Sequence, residues 1–563
     1  MIRKFKLQVK KKEELEPEEI LLDAKQKEME ERARLELPIK TSVFFVLACF
    51  LIFLFLLLYG KTVYLTIAQG EKLSEMARKN YLRVKFIEAP RGIIYSSEGE
   101  VLAKNKKEKK DDKEVFVRVY PEGKFFAHIL GYINEVLKEE IKKDPYYQLG
   151  DRIGREGIEK EYEKYLRGEK GKIEKVVNAK GEVLEEKLVK KPKIGDTIYL
   201  NIQAKLQKKI FEVLEKRVKD KKASVVVLNP QNGKVLALVS YPSYDNNLIS
   251  KKYKEYLSDP SSPLLNRPLA GRYPSGSTIK PLIAVAGLEE KIIDEKEKIY
   301  CPGFIRIENP WNPALPTIKK DWKRHGIVDL KKALAESCNV YFFTVGGGYK
   351  NIKGLGIKRI KKYLDLFFVE EKVGIDLPGE KVGFVPTPEW FEKERKAIER
   401  RNWSIADVYD VSIGQGFFSI TPLHLAVAHM AIANGGKIFR PQIVKKIVSP
   451  EGKIIKNFKP VVLRENIAKK ENIEKVREGM RYCVTSPSGS CRRLQDLPVT
   501  SAGKTGTAEA GFGKEPHAWF VAFAPYENPE ILIVVLVENG GGGSKVALPI
   551  AKEVLKWYFS QKR

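Results

Sequence analysis

The chain predicts an α/β (α+β) fold, an antiparallel sheet flanked by helices, carried behind one N-terminal membrane helix. Three observations support this. Residues 41–60, "TSVFFVLACFLIFLFLLLYG", are apolar and uncharged between Lys40 and Lys61; twenty helical residues rise about 30 Å, the thickness of a bilayer core. "ASVVVLNPQNGKVLALVSYP", from residue 223, and "HAWFVAFAP" with "ILIVVLVEN", near the C-terminus, read as apolar strands. The intervening chain is mostly of helical pattern. A sheet therefore gathers strands from two distant stretches, and helices pack on it.

Residues 1–40 are charge-dense, and Glu13–Leu37 reads as a mixed-charge helix or a solvated tail. The apolar run is an uncleaved signal anchor: forty residues precede it and no A-x-A site clearly follows. Residues 25–40 hold five Lys/Arg and residues 61–80 hold four, so charge alone does not orient it. Helix continues over 61–82. "VKFIEAPRGIIYSSEGEVLAKN" reads as strand, turn and strand, with Ser97-Glu98-Gly99 as the hairpin turn. "KNKKEKKDDKE" (104–114) reads as a charged loop. "GREGIEKEYEKYLRG" gives a helix ending at Gly168, and a hairpin then turns at Lys180-Gly181. Pro192 and Gly195-Asp196 mark a boundary. Beyond it come a strand and an amphipathic helix ("TIYLNIQAKLQKKIFEVLEKRV"), the Asn232-Gly233 turn of the first strand pair, and at the far end a closing helix over 546–560.

Lys and Arg outnumber Asp and Glu by 102 to 73, a net +29. That suits an anionic membrane surface or glycan, or simply a Lys/Glu-rich exterior. With no zinc-finger spacing, RNA-binding aromatic signature or basic helix-turn-helix, no nucleic-acid partner is expected. Five cysteines exclude a disulfide-dense scaffold.

The chemistry lies in three short motifs that stand in order. Ser277-Thr278-Ile279-Lys280 places a hydroxyl and an amine three residues apart, on one face of a helix. Gly276 permits a tight entry turn. A serine hydroxyl is a poor nucleophile until a base takes its proton. Lys280 does so only when neutral, so its pKa must fall well below about 10.4; burial and a second cation, Lys504, are the means available. Sixty residues on, Ser337 and Asn339 flank Cys338, offering a hydroxyl to relay a proton to a leaving amine and an amide to hold a peptide. A further 167 residues on, Lys504-Thr505-Gly506-Thr507 precedes the last strands and reads as an extended sheet edge. Lys504 and the two Thr hydroxyls suit a carboxylate, Gly506 lets a ligand approach the backbone, and the N–H groups of Thr507 and Ser277 suit an oxyanion. Each motif alone is weak, and Ser501–Lys504 is itself a second SxxK. Together they are the toolkit of an active-site serine acyltransferase for D-alanyl peptides or β-lactams.

With these motifs the chain resembles the class B penicillin-binding proteins from about residue 75 to its C-terminus. "APRGIIYSSEGEVLAKN", "GREGIEKEYEKYLRG", "GKVLALVSYPSYDNN", "VGIDLPGE" and "IGQGFFSITPLHLA" resemble family blocks. "WKRHGIVDLKKALAESCNVYFF" most resembles the penicillin-binding protein 2 subfamily, the transpeptidases of wall elongation. The resemblance implies a cytoplasmic tail (1–40), a transmembrane anchor (41–64), an elongated pedestal (65–195) and a transpeptidase domain (196–563). It also implies an N-terminus inside and catalysis outside the inner membrane. The substrates would be stem pentapeptides, with β-lactams as mimics. The partners would be a SEDS-family glycan polymerase and other elongation-complex proteins. No cofactor is needed for the chemistry, but the subfamily's zinc site maps by position to Cys301, Asp321, His325 and Cys338. Asp321 and His325 lie four apart, which one helical turn would present together. The alternative is two buried cysteines and a surface Asp/His pair. The pedestal beyond Asn105 is shorter than is familiar in the family. Cys483 and Cys491 either pair or remain thiols. The rivals in function are a D,D-carboxypeptidase or β-lactamase, and a non-catalytic sensor or polymerase activator.

Overall fold

The computed structural model describes residues 40–110, 113–178, 180–308, 314–398 and 402–561. The expected helix Glu13–Leu37 lies outside them. The backbone groups into two bodies.

The first body comprises the described residues up to Lys85 together with Glu174–Lys187. Its helix Thr41–Val63 runs on through a π turn to Ala68, 28 residues in all, long and apolar enough to cross a membrane. Gln69 interrupts it and helix Gly70–Tyr81 follows. The hairpin expected at Lys180-Gly181 is present, with Gly181 at φ 85° where a side chain would be strained.

The second body holds everything else. Its central sheet has five strands: β1 (Ala223–Leu228), β2 (Val235–Tyr241), β3 (Ala502–Ala508), β4 (His517–Ala524) and β5 (Ile531–Val537). Their order is β2-β1-β5-β4-β3, all antiparallel, so the strands from the two distant stretches meet at β1 and β5, Ala223 opposite Val537. Alternation sends successive side chains to opposite faces. On one face Val225, Val227, Phe520 and Val535 join Leu206, Ile210 and Leu214 of the helix Ala204–Val218, with Ile550 and Val554 of the closing helix Ala547–Ser560. On the other, Val226, Leu228, Trp519 and Val534 join Leu425 and Ile432 of the helix Pro422–Asn434. Both faces are covered, which is why these strands read as unbroken apolar runs.

A second sheet of six strands joins Ile94–Tyr95, Val101–Lys110 and Lys113–Val119 to Thr197–Leu200, Val444–Val448 and Ile454–Asn457. The segment 104–114 is therefore no loop: its described residues pair in a ribbon from Lys104↔Val119 to Lys110↔Lys113. Lysine-rich edges are tolerated because solvent reaches them. Nearby, Glu159 is fully buried between two arginines, Arg91 Nη2 at 2.7 Å and Arg118 Nε at 2.6 Å, with Glu163 also on Arg91 at 2.8 Å.

Candidate active site

β3 is the edge strand, and the residues ahead of the Lys280 helix pack directly on it. Gly276 (φ 53°) opens a turn that runs Gly276–Ile279, and helix Lys280–Glu289 follows. A side chain on Gly276 would meet the carbonyl oxygen of Thr507 at 2.4 Å. One on Gly506 would meet Thr278 Cγ2 at 2.8 Å and the carbonyl of Ser275 at 2.9 Å. Both glycines thus let turn and strand touch. This revises the expectation for Gly506, whose bare Cα admits the Ser277 turn.

That contact sets Ser277 beside a cavity of about 420 Å³, which Ser337, Asn339, Thr505, Gly506 and Thr507 also line. Ser337 ends the helix Leu330–Glu336 in the left-handed region (φ 60°), uncommon for a non-glycine residue, and Asn339 begins the helix Asn339–Gly347. The reversal points Ser337 at both lysines. Lys280 Nζ donates to Ser337 O at 2.8 Å and to Asn339 Oδ1 at 2.6 Å. Lys504 Nζ donates to Ser337 Oγ at 2.8 Å and to Thr505 O at 3.0 Å. Both lysines are fully buried.

Removing an ammonium from water disfavours its charge. Burial accordingly pushes Lys280 down to about 8, although the nearby acidic groups of Asp321, Cys338 and Cys301 pull the other way. Burial, and then the charge of Lys280, hold Lys504 well below the usual lysine range. The repulsion between the two ammonium groups, expected from the sequence, thus adds to burial in holding Lys504 down. With that amine turned inward to Ser337, the residues of the Lys504–Thr507 run that line the cavity are Thr505, Gly506 and Thr507.

Three of the four candidate metal ligands converge, and His325 lies next to one of them, Asp321. Cys301 closes the strand Ile299–Cys301, whose partner strand begins at Gly326, just after His325. The ligand atoms of Cys301, Asp321 and Cys338 lie within 4.8 Å of one another. His325 Nε2 is 3.5 Å from Asp321 Oδ1 and, though buried, has no hydrogen-bond partner among the described residues, while its Nδ1 is held by Glu336 Oε2 at 2.9 Å. Two sulfurs and a carboxylate gathered together, with an unpartnered imidazole nitrogen next to that carboxylate, are donors of the kind that zinc takes in a tetrahedral shell. Asp321 and His325 come together on a loop between two short strands, and the helical turn expected for them is absent. Asp321 Oδ2 further accepts from the N–H groups of Asn339 (2.7 Å) and Val340 (2.9 Å), tying this cluster to the catalytic candidates.

Sequence comparison matches residues 223–556 to the penicillin binding protein transpeptidase domain and residues 112–200 to the penicillin-binding protein dimerisation domain. The chain belongs to the penicillin-binding protein family. The peptidoglycan D,D-transpeptidase MrdA of Haemophilus influenzae is 37% identical over 481 residues, 79% of this chain and 70% of that protein. Among solved structures, Pseudomonas aeruginosa PBP2 in complex with WCK 5153 superposes with a TM-score of 0.71 at 32% identity, covering 84% of this chain and 96% of that one. Helicobacter pylori PBP2 in complex with MreC gives 0.72 at 27%, covering 86% and 100%. These are relatives of the class B branch, PBP2, that the motifs resemble, and the penicillin-binding fold read from the sequence is theirs. The family's chemistry requires no cofactor.

Several cavity residues escaped the sequence reading. Gln415 stands in the "IGQG" block and accepts from Glu509 N at 3.3 Å. Trp322 adjoins Asp321, and Ser490 lies between the motifs. Gln415 and Trp322 each carried one signal, a place in a family block, and Ser490 carried none. Cys483 and Cys491 form a disulfide.

Proposed function

We propose that the protein is a membrane-anchored peptidoglycan D,D-transpeptidase of wall elongation and a target of β-lactams, with Ser277 as nucleophile. One observation carries the residue assignment: two fully buried lysines converge on Ser337 directly behind the cavity that Ser277 lines. Neutral Lys280 takes the Ser277 hydroxyl proton as Oγ bonds to the carbonyl carbon of the penultimate D-Ala. Backbone N–H groups of Ser277 and Thr507 receive the developing oxyanion. Ser337, hydrogen-bonded to Lys504, passes a proton to the departing nitrogen; the C–N bond breaks and D-Ala leaves. An amine of a neighbouring stem then attacks the acyl ester, giving up its proton as Ser277 Oγ regains one. Asn339 and Thr505 hold the peptide and its carboxylate.

Zinc held by Cys301, Asp321, His325 and Cys338 would brace the loop around Asp321 and enter no step. The domain division is the one the family resemblance implies: tail 1–40, anchor 41–64, pedestal 65–195 and transpeptidase 196–563. The apolar helix supports a single-pass anchor, with the catalytic part outside the inner membrane. A SEDS polymerase and elongation proteins are the partners in this reading; the complex of the H. pylori relative with MreC supports the latter. The test is fluorescent-penicillin labelling of the full chain beside Ser277→Ala. Durable labelling lost in the variant supports the transpeptidase, decay within seconds points to a β-lactamase, and no labelling of folded protein overturns the acyl-enzyme.

A further inference from the structure

Between the second and third motifs, residues 483–491 ("CVTSPSGSC") close into a ring through the Cys483–Cys491 disulfide. Both cysteines are fully buried. The ring is tight: Cys491 N donates to Cys483 O at 3.1 Å, and a side chain on Gly489 would meet that same oxygen at 2.2 Å. It is tied on one side to the helix that ends at Ser337. Ser490 N donates to Ala335 O at 3.0 Å, and Ser488 Oγ donates to Glu336 Oε1 at 2.8 Å. On the other side Ser490 Oγ lies 2.7 Å from Thr505 Oγ1, within the cavity lining.

We propose that this disulfide ring is a positioning element for the substrate carboxylate, acting through Ser490 on Thr505. The proposal rests on the function proposed above, in which Thr505 meets that carboxylate. A carboxylate only accepts, and a hydroxyl has one proton to give. For Thr505 to spend its proton on the substrate, Ser490 must donate to Thr505. The other neighbours of Ser490 Oγ permit this. They are the sulfurs of Cys483 at 3.2 Å and Cys491 at 3.9 Å, which as half-cystines have no proton and accept only weakly. The ring therefore leaves Ser490 as donor and Thr505 free to donate outward, into a charge-assisted bond. Opening the ring releases the segment that holds Ser490 against Thr505.

The test uses the full chain in detergent and compares acylation by benzylpenicillin with acylation by its methyl ester, whose carboxylate is masked. Ser490→Ala, the pair Cys483→Ala with Cys491→Ala, all three together, and Ser490→Thr are measured beside wild type. The acid-over-ester preference falls several-fold, up to about tenfold, in Ser490→Ala, the worth of the neutral hydrogen bond that orients the Thr505 hydroxyl. It falls similarly in the cysteine pair and no further in the triple variant, and Ser490→Thr retains it. Equal slowing of acid and ester in the cysteine pair, as from loosened structure alone, overturns the proposal. So does an unchanged preference in Ser490→Ala, which keeps the ring and decides the matter should the cysteine pair not fold. Failure of wild type to be acylated by either compound would instead overturn the acyl-enzyme reading beneath it.

Discussion

Acylation should rise with pH along a limb set by Lys280. The amine acts as base only when neutral, and full burial lowers its pKa to about 8. At pH 7 such a group is neutral in roughly a tenth of molecules, whereas an exposed lysine of pKa about 10.4 is neutral in roughly one in 2,500. Burial thus makes the base on the order of 200-fold more available at neutral pH. The sign follows from the direction of the shift: the competent form is gained as pH rises through the folded pKa. The assay is the second-order rate of labelling by a fluorescent penicillin from pH 6 to 10, the drug's carboxylate staying ionised throughout. The rate should climb nearly tenfold per unit below pH about 8 and level off above it. Lys504 adds no second limb near pH 10, because burial and the Lys280 charge hold it well below the usual lysine range. A rate flat from pH 6 to 9, or an inflection near 10, would refute the assignment of a burial-tuned Lys280 as base.

Three further outcomes are expected. Gly276→Ala forces a methyl group to within 2.4 Å of Thr507 O at a φ of 53°; overpacking costs about 1–3 kcal/mol and the left-handed backbone about 1 more. Thermal unfolding should show a lowered midpoint and labelling a much slower acylation, since the turn carrying Ser277 must leave β3. Glu159→Ala strands the buried guanidinium of Arg118 and leaves Arg91 with Glu163 alone, at a cost of about 3–5 kcal/mol; chemical denaturation measures it, and a loss below about 1 kcal/mol would mean that water reaches Arg118. If zinc occupies the Cys301 cluster, elemental analysis finds one ion per chain in wild type and less in His325→Ala, and a strong chelator lowers the wild-type unfolding midpoint. A metal-free wild type of unchanged midpoint would eliminate the site.

The catalytic candidates were legible in the sequence because their signal is local: a hydroxyl three residues from an amine, a hydroxyl and amide flanking one residue, and a KTG run before two apolar strands. The sheet was legible for a similar reason, since Val225-Val226-Val227 and Ile533-Val534-Val535 can be buried on both sides only between covered faces. What the sequence did not disclose is set by packing at long range. The role of Gly506 depends on Ser275 and Thr278, more than 200 residues away, and only the folded contact shows that the missing side chain admits a turn. Composition misled over 104–114, where a run of lysines suggested a loop. Pairing of Lys104 with Val119 makes a ribbon there, since backbone register is indifferent to charge when the side chains reach water. Spacing misled at Asp321 and His325: four residues fit one helical turn, but the strands Thr317–Lys320 and Gly326–Val328 frame the pair and fix it as a loop. The cations show the same dependence. That two lysines must share one site was inferable from the motifs. Which groups stand beside each of them depends on the folded contacts. Here Asp321, Cys301 and Cys338 surround Lys280, and the carbonyl of Thr505 with the hydroxyl of Ser337 receives Lys504. The candidate metal-ligand cluster and the proposed general base are thereby electrostatically coupled, so a cation bound among those sulfurs would weaken their pull on the Lys280 proton and lower its pKa further. The acylation limb of a zinc-loaded chain should accordingly lie at lower pH than that of the same chain after chelation, and coincident limbs would show the two sites to be independent.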